Sequence, residues 1–245
     1  MQLTVPGGES GVAVSVMAWP EDGLRAHYVV VHYKDGGAYL HTAFPAAAGG
    51  SRHPIRIDSI HEVSCGLEAR ISGVLGDAAI TFFDPLYPLN RDRYRRGSVV
   101  DVELAGIAYS MKIVPGGTKV KTPAGDVPLA GAAVLIGAGK DGGERNQRSF
   151  GDENAFGVAY IEHQNGVPFP DDYSVCAAVK EVEQGAIGSI PVWKYRSTVM
   201  RVHEGRHEVD IDIYATPQSM AAGAVATRGD EVSGTLWLQG TLPSR

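Results

Sequence analysis

One arrangement occurs twice in this chain, and it limits the folds open to it. Residues 80–109, ITFFDPLYPLNRDRYRRGSVVDVELAGIAY, run as an alternating apolar stretch, an Xaa-Pro break, a segment of helical character, Arg-Gly and a second alternating stretch. Residues 211–242, IDIYATPQSMAAGAVATRGDEVSGTLWLQGTL, follow the same plan. The spacing from Pro85 to Gly97 equals that from Pro217 to Gly229, so Val100, Leu104 and Gly106 fall opposite Val232, Leu236 and Leu238. Period-two runs bounded by Pro and Gly read as strands, and the spacing predicts one small β unit used in two copies. The strand entering each proline needs a different offset, because Phe82 and Phe83 match Ile213 and Tyr214 one residue out of step with the prolines. A one-residue slip turns every side chain to the other face, so the copies are not strictly superposable there.

The remaining chain agrees with an all-β body. Its 31 glycines and 14 prolines would penalise helix interiors. Residues 10–44 read as a meander, with a hairpin signalled by Lys34-Asp35-Gly36-Gly37, whose glycines supply the positive φ of a tight turn. Residues 55–74 offer two further strands. Residues 115–157 carry turn formers and charge with little to bury, interrupted by an apolar strand at 132–136. Strand-like runs at 156–161, 173–182, 187–194 and 197–202 lead into the second copy. The expected organisation is an N-terminal meander plus first β unit over 1–114, a Gly-rich inter-domain region over 115–157 and a second β unit over 158–245. A strand, a short helix and a returning strand inside a five-stranded unit resembles the oligonucleotide/oligosaccharide-binding (OB) barrel in layout. The expected fold class is therefore all-β: two small OB-like β-barrel or sandwich units, an N-terminal β meander and few short helices.

Charge and segment composition narrow the function classes. The net charge of −6 weighs against sequence-independent nucleic-acid binding, which needs clustered Lys and Arg to release counterions. The N-terminal residues lack the basic start and apolar run of a signal peptide. No stretch approaches the ~18 apolar residues of a spanning helix, so no membrane partner is expected. Cys65 and Cys176 are too few for a disulfide framework, and each sits in or beside an apolar run. Buried thiols in a reducing, cytoplasmic setting are the expectation.

Three motif lookalikes lack the context their chemistry needs. His203-Glu204-Gly205-Arg206-His207 matches H-E-x-x-H but joins two alternating runs, so it reads as a hairpin tip and not as a zinc-binding helix. The G-x-G-x-x-G of residues 137–142 follows an apolar strand, with Glu162 further on. The segment after it has no helical apolar stripe to present amides to a phosphate. His27, His32, His41, His53 and His61 fall in the first quarter near Cys65. If the hairpin turns at Gly36-Gly37, His32 and His41 become cross-strand neighbours close enough to share an ion; scattered histidines on wet strand faces are the alternative. Neither a cofactor nor a metal site is expected.

Arg91, Arg93, Arg95 and Arg96, with Tyr87 and Tyr94 among them, form the one concentrated basic-aromatic patch, and the second copy keeps just Arg228 there. Aromatic rings beside guanidinium groups are what a single-strand binder uses. Trp237 lies among polar neighbours (Glu231, Ser233, Thr235, Gln239), so it is either covered by another segment or exposed as an apolar anchor. No catalytic set can be singled out, because such partners meet in space and not in sequence. The expected function is a non-enzymatic binding or assembly protein built from tandem β units, with a protein partner or self-association. Tyr87, Arg91, Arg93, Tyr94, Arg95, Arg96 and Trp237 are its candidate binding residues. Single-stranded nucleic-acid binding through residues 91–96, and a metal-dependent enzyme using the N-terminal histidines, are the alternatives.

Overall fold

The computed structural model describes residues 2–5, 13–63, 66–114, 119–122, 125–128, 134–137, 170–202 and 207–243. The described residues are nearly all strand. β1 (Gln2–Val5), β2 (Ala13–Trp19), β3 (Gly23–His32) and β4 (Ala38–Ala48) form a sheet in sequence order. β5 (Ser51–Val63), β6 (Glu68–Leu75) and β7 (Ala78–Asp84) make a meander, and α1 (Tyr87–Asn90) with a 3-10 turn at Arg91–Arg93 leads to the long β8 (Val99–Val114). β9 (Lys119–Thr122) and β10 (Gly125–Pro128) pair with each other, and β11 (Val134–Gly137) pairs with the next strand. β12 (Asp172–Ile187), β13 (Ile190–Val202) and β14 (His207–Ala215) make a second meander, followed by a 3-10 turn at Ala221–Gly223 and β15 (Glu231–Thr241).

The pairings close two five-stranded circuits that share two strands. One runs β5-β6-β7-β15-β8 and back to β5; the other runs β12-β13-β14-β8-β15 and back to β12. Each meander is closed by its own long strand and by the long strand of the other half. Closure satisfies the strand edges that an open sheet would leave unpaired. β8, from residues 1–114, and β15, from residues 158–245, form one antiparallel ribbon through both circuits.

Registers match between the circuits. Gly106 stands opposite Leu238 at the middle of the ribbon, the same two residues that the Pro-to-Gly spacing matched. β7 runs parallel to β15 with Phe83 beside Gln239, and β14 runs parallel to β8 with Tyr214 beside Ile107. Ile107 and Gln239 agree in the offset of the returning strands, while Phe83 and Tyr214 agree in the offset shifted by one. Both sequence registers are therefore in use, one on each side of the proline. A register shift falls between Ile57 and Ser59 in β5, and another between Val179 and Glu181 at the corresponding step of β12.

A continuous core fills both circuits, with Ile55, Ile71, Phe82 and Leu104 on one side and Tyr195, Ile211, Ile213 and Leu236 on the other. Fully burying such a side chain is worth roughly 1.5–3 kcal/mol. Close approach needs glycine at the ribbon. A Cβ on Gly240 would meet Phe82 at 2.6 Å and Val102 at 2.8 Å, and one on Gly234 would meet the Ser110 carbonyl oxygen at 2.0 Å.

The N-terminal sheet docks by its edge. The Gln239 side chain accepts the Ala47 N–H (3.1 Å) and donates to the Pro45 carbonyl (2.9 Å). Phe44 packs against Phe83 (5.3 Å) and Trp237 (5.9 Å) on one side of that edge. Leu24 and Ala47 pack against Ala105, Ile107, Val192 and Tyr214 on the other. The β3–β4 turn falls where Asp35-Gly36 predicts, with Gly36 at φ 84° and the Asp35 carboxylate accepting the Gly37 N–H. The described residues contain no helix long and apolar enough to cross a membrane.

Candidate functional site

The patch singled out by sequence lies at the corner between β7 and β8, and a buried carboxylate organises it. Asp84 ends β7 at 1% exposure. Its carboxylate accepts the Leu86 N–H (2.7 Å), the Asn90 side-chain amide (2.9 Å) and the Tyr94 hydroxyl (2.9 Å). These bonds fasten α1 and its following turn to the strand that precedes them. Burial pushes the Asp84 carboxyl up to about 6, and its hydrogen-bond donors and the Arg93 charge hold it from rising further. Tyr87 is buried, stacks on Tyr94 with ring centres 6.4 Å apart, and donates its hydroxyl to Glu62. Burial first, and then the neighbouring carboxylates, raise the hydroxyl pKa of both tyrosines.

The basic-aromatic patch therefore divides. Arg93 turns inward, donating to the Asn90 side-chain oxygen (3.2 Å) and the Pro243 carbonyl (3.0 Å). Arg91, Arg95 and Arg96 are exposed, with Arg91 3.8 Å from the Asp92 carboxylate. A single-strand binder needs a ring at the surface beside the guanidinium; Tyr87 and Tyr94, at 2% and 4% exposure, present none. The pattern of residue types was legible, but not which way the rings turn. Beside the corner lies an open cleft of about 580 Å³ lined by Ile60, Glu62, Tyr87, Arg91 and Asp92. A second, of about 550 Å³, lies by the Ala221–Gly223 turn, where Val182 and Gln184 stand at the steps of β12 that Ile60 and Glu62 occupy in β5.

Trp237 is half-buried on β15. Its indole N–H donates to Asp171 (2.7 Å), which also accepts from Arg70 (2.6 Å), and its ring packs on Phe83 (4.8 Å) beneath Phe44. Its ring contacts tie the N-terminal sheet to the ribbon. Sequence spacing could not connect Phe44 to Trp237, because nothing local links the two.

The histidines do not converge. The turn at Asp35-Gly36 directs Tyr39 toward His32, and an extra residue in β4 at His41 moves the register one step further, so Ala38 and not His41 stands opposite His32. His32 meets the Ser15 hydroxyl (2.9 Å), His53 bonds the Asp210 carbonyl (2.7 Å) and His61 is exposed. His27 is fully buried against Phe44. The Pro85 carbonyl faces its ring without hydrogen-bond geometry, and neither ring nitrogen has a partner. Burial, and next the Arg25 charge, push His27 down to about 4. Among the described residues no three His, Cys, Asp or Glu side chains gather to hold a metal ion. Cys65, residues 203–206 of the H-E-x-x-H match and residues 138–142 of the glycine motif lie outside the described residues.

Two features escaped the sequence reading. Met17, Trp19, Tyr28 and Leu40 are 36%, 59%, 37% and 55% exposed. The β2–β3–β4 register puts them all on one face of the N-terminal sheet. A third cleft, of about 560 Å³, opens between the β2–β3 turn and the β12–β13 hairpin, which are far apart in the chain. No family model, curated protein or solved structure matches this chain.

Proposed function

We propose that the protein is a non-enzymatic binding or assembly protein that associates with a second copy of itself through the outward face of its N-terminal sheet. The carrying observation is that contiguous face of Met17, Trp19, Tyr28 and Leu40. Soluble chains seldom leave large apolar side chains together in water unless another surface covers them, and aromatic residues and Met are enriched in interfaces. The cross-strand neighbours Ser15, Val30, Ala26 and Ala43 add no charge. Two acidic molecules can thus meet there without opposing like charges.

We also infer that the circuits are divergent copies of one OB-like unit, supported by the matched register shifts and the parallel β7–β15 and β14–β8 pairs. A cytoplasmic setting accords with the free thiol of Cys176. The exposed guanidinium groups of Arg91, Arg95 and Arg96 favour a second reading, contact with the phosphates of a single-stranded nucleic acid.

Light scattering over a concentration series tests the first reading. The expected result is a mass above the monomer that falls to the monomer in the Trp19→Ser, Leu40→Glu double variant. A strict monomer throughout for the unaltered chain would overturn it. For the second reading, titration with a labelled oligonucleotide at low salt should show binding that weakens when Arg91, Arg95 and Arg96 become Ala together.

A further inference from the structure

We propose that the cleft between the β2–β3 turn and the β12–β13 hairpin is a ligand site for an alkyl guanidinium or alkyl ammonium group. Its floor is apolar: Leu24, Val192 and Tyr214 are 7%, 4% and 4% exposed. Its rim carries Glu21, Asp22 and Glu183. An apolar floor beneath an acidic rim fits a cation on a hydrocarbon stem, which lays its methylenes on Leu24 and Val192 and keeps its charged head among the carboxylates.

The buried polar atoms point the same way. Tyr214 lines the cleft, yet its hydroxyl has no hydrogen-bond partner among the described residues. Asp212, two residues earlier on the same face of β14, is 8% exposed, and its Oδ1 has no partner either. Burial, and then the Asp212 charge, keep the Tyr214 hydroxyl protonated, so its oxygen is free to accept a ligand N–H. An unpaired buried acceptor is costly, and Tyr214 stands in the cleft wall where a ligand donor can reach it.

Charge selects the sign of the ligand. Glu21, Asp22 and Glu183 line the space and the Asp212 charge acts on Tyr214 in its wall, against Lys194, whose ammonium lies 2.7 Å from Glu183, and the buried Arg25, which bonds the Glu21 carbonyl. Carboxylates outnumber cations there, so an anion is repelled. The carboxylates are dispersed and form no cluster that could hold a metal ion. A spread-out negative field suits a delocalised organic cation better than a compact divalent one.

Trp19 supplies the readout, because it precedes the cleft-lining Pro20 and its ring lies against Gly188 at the hairpin tip. The full chain is titrated with n-butylguanidine, n-butylamine and, as neutral control, n-butanol, following Trp emission and calorimetric heat. Saturable binding of the two cations is expected, weakened at least about tenfold in the Asp22→Asn, Glu183→Gln double variant. Both substituted side chains are exposed, so folding is not at stake. Tyr214→Phe should weaken binding while leaving the thermal midpoint within a few degrees. Absence of saturable binding, equal affinity for n-butanol, or an unchanged affinity in the double variant would each overturn the proposal. The cleft lining shares no residue with the apolar face, although Trp19 borders both, so the mass of the particle bears on that reading and the calorimetric heat on this one.

Discussion

Gln239 holds Ala47 as a neighbouring strand would, accepting its N–H at 3.1 Å and donating to the Pro45 carbonyl at 2.9 Å. A side chain thus does the work of a ladder pair and seats the β4 edge on the ribbon. Gln239→Ala would leave the N–H of the buried Ala47 without its partner, which costs about 1–3 kcal/mol. Hydrogen exchange should show the Ala47 amide losing protection while the amides of β12–β13 keep theirs.

The ribbon admits no side chain at Gly240 or Gly234. At Gly240 the obstacles are the buried side chains of Phe82 and Val102, whereas at Gly234 it is the Ser110 backbone. Gly240→Ala should cost about 1–3 kcal/mol as ordinary overpacking. Gly234→Ala should cost more, because a main-chain oxygen cannot step aside. Urea unfolding midpoints of the two variants check the order.

Acid titration of stability has two opposing parts. His27 has a folded-state pKa of about 4, below its ordinary 6.5. Its contribution is fully present above 6.5 and is lost as pH falls through 4. Asp84 has a folded-state pKa of about 6, above its ordinary 3.8. Its contribution is present below 3.8 and is lost as pH rises through 6. Each spans roughly 3 kcal/mol at most, and between pH 4 and 6 they largely cancel. Asp84→Asn should therefore give stability that climbs with pH across 4 to 6.5, and His27→Leu stability that declines across 4 to 6. Denaturant midpoints at half-unit steps of pH read both slopes.

Neither half can close its circuit alone. Fragments 1–140 and 141–245, expressed separately, should each remain without cooperative unfolding, since each lacks a strand that two neighbours need. Mixed, they should restore a single cooperative transition. Independent sharp transitions in the separate fragments would contradict the shared ribbon.

Local signals were legible and distant ones were not. The Asp35-Gly36 turn, the alternation of β8 and the spacing from Pro85 to Gly97 rest on neighbours in sequence. Even the one-residue conflict between the two offsets was visible before its cause, the two parallel pairs at Phe83–Gln239 and Tyr214–Ile107. The ribbon itself was not, since Gly106 and Leu238 carry no mark that says they face each other. Nor was the fate of the tyrosine-rich corner: Tyr87 and Tyr94 look like surface rings until Glu62 and Asp84 turn their hydroxyls inward. His32 and His41 failed as a pair because the turn centres on Asp35-Gly36 and not on Gly36-Gly37, and an extra residue in β4 moves the register one step further.

The ribbon also sets a timetable for synthesis. Residues 231–241 complete both circuits, so the first meander, though translated early, has no finished barrel to enter until that late strand has left the ribosome. During that interval Phe82 and Val102 face a vacant strand position.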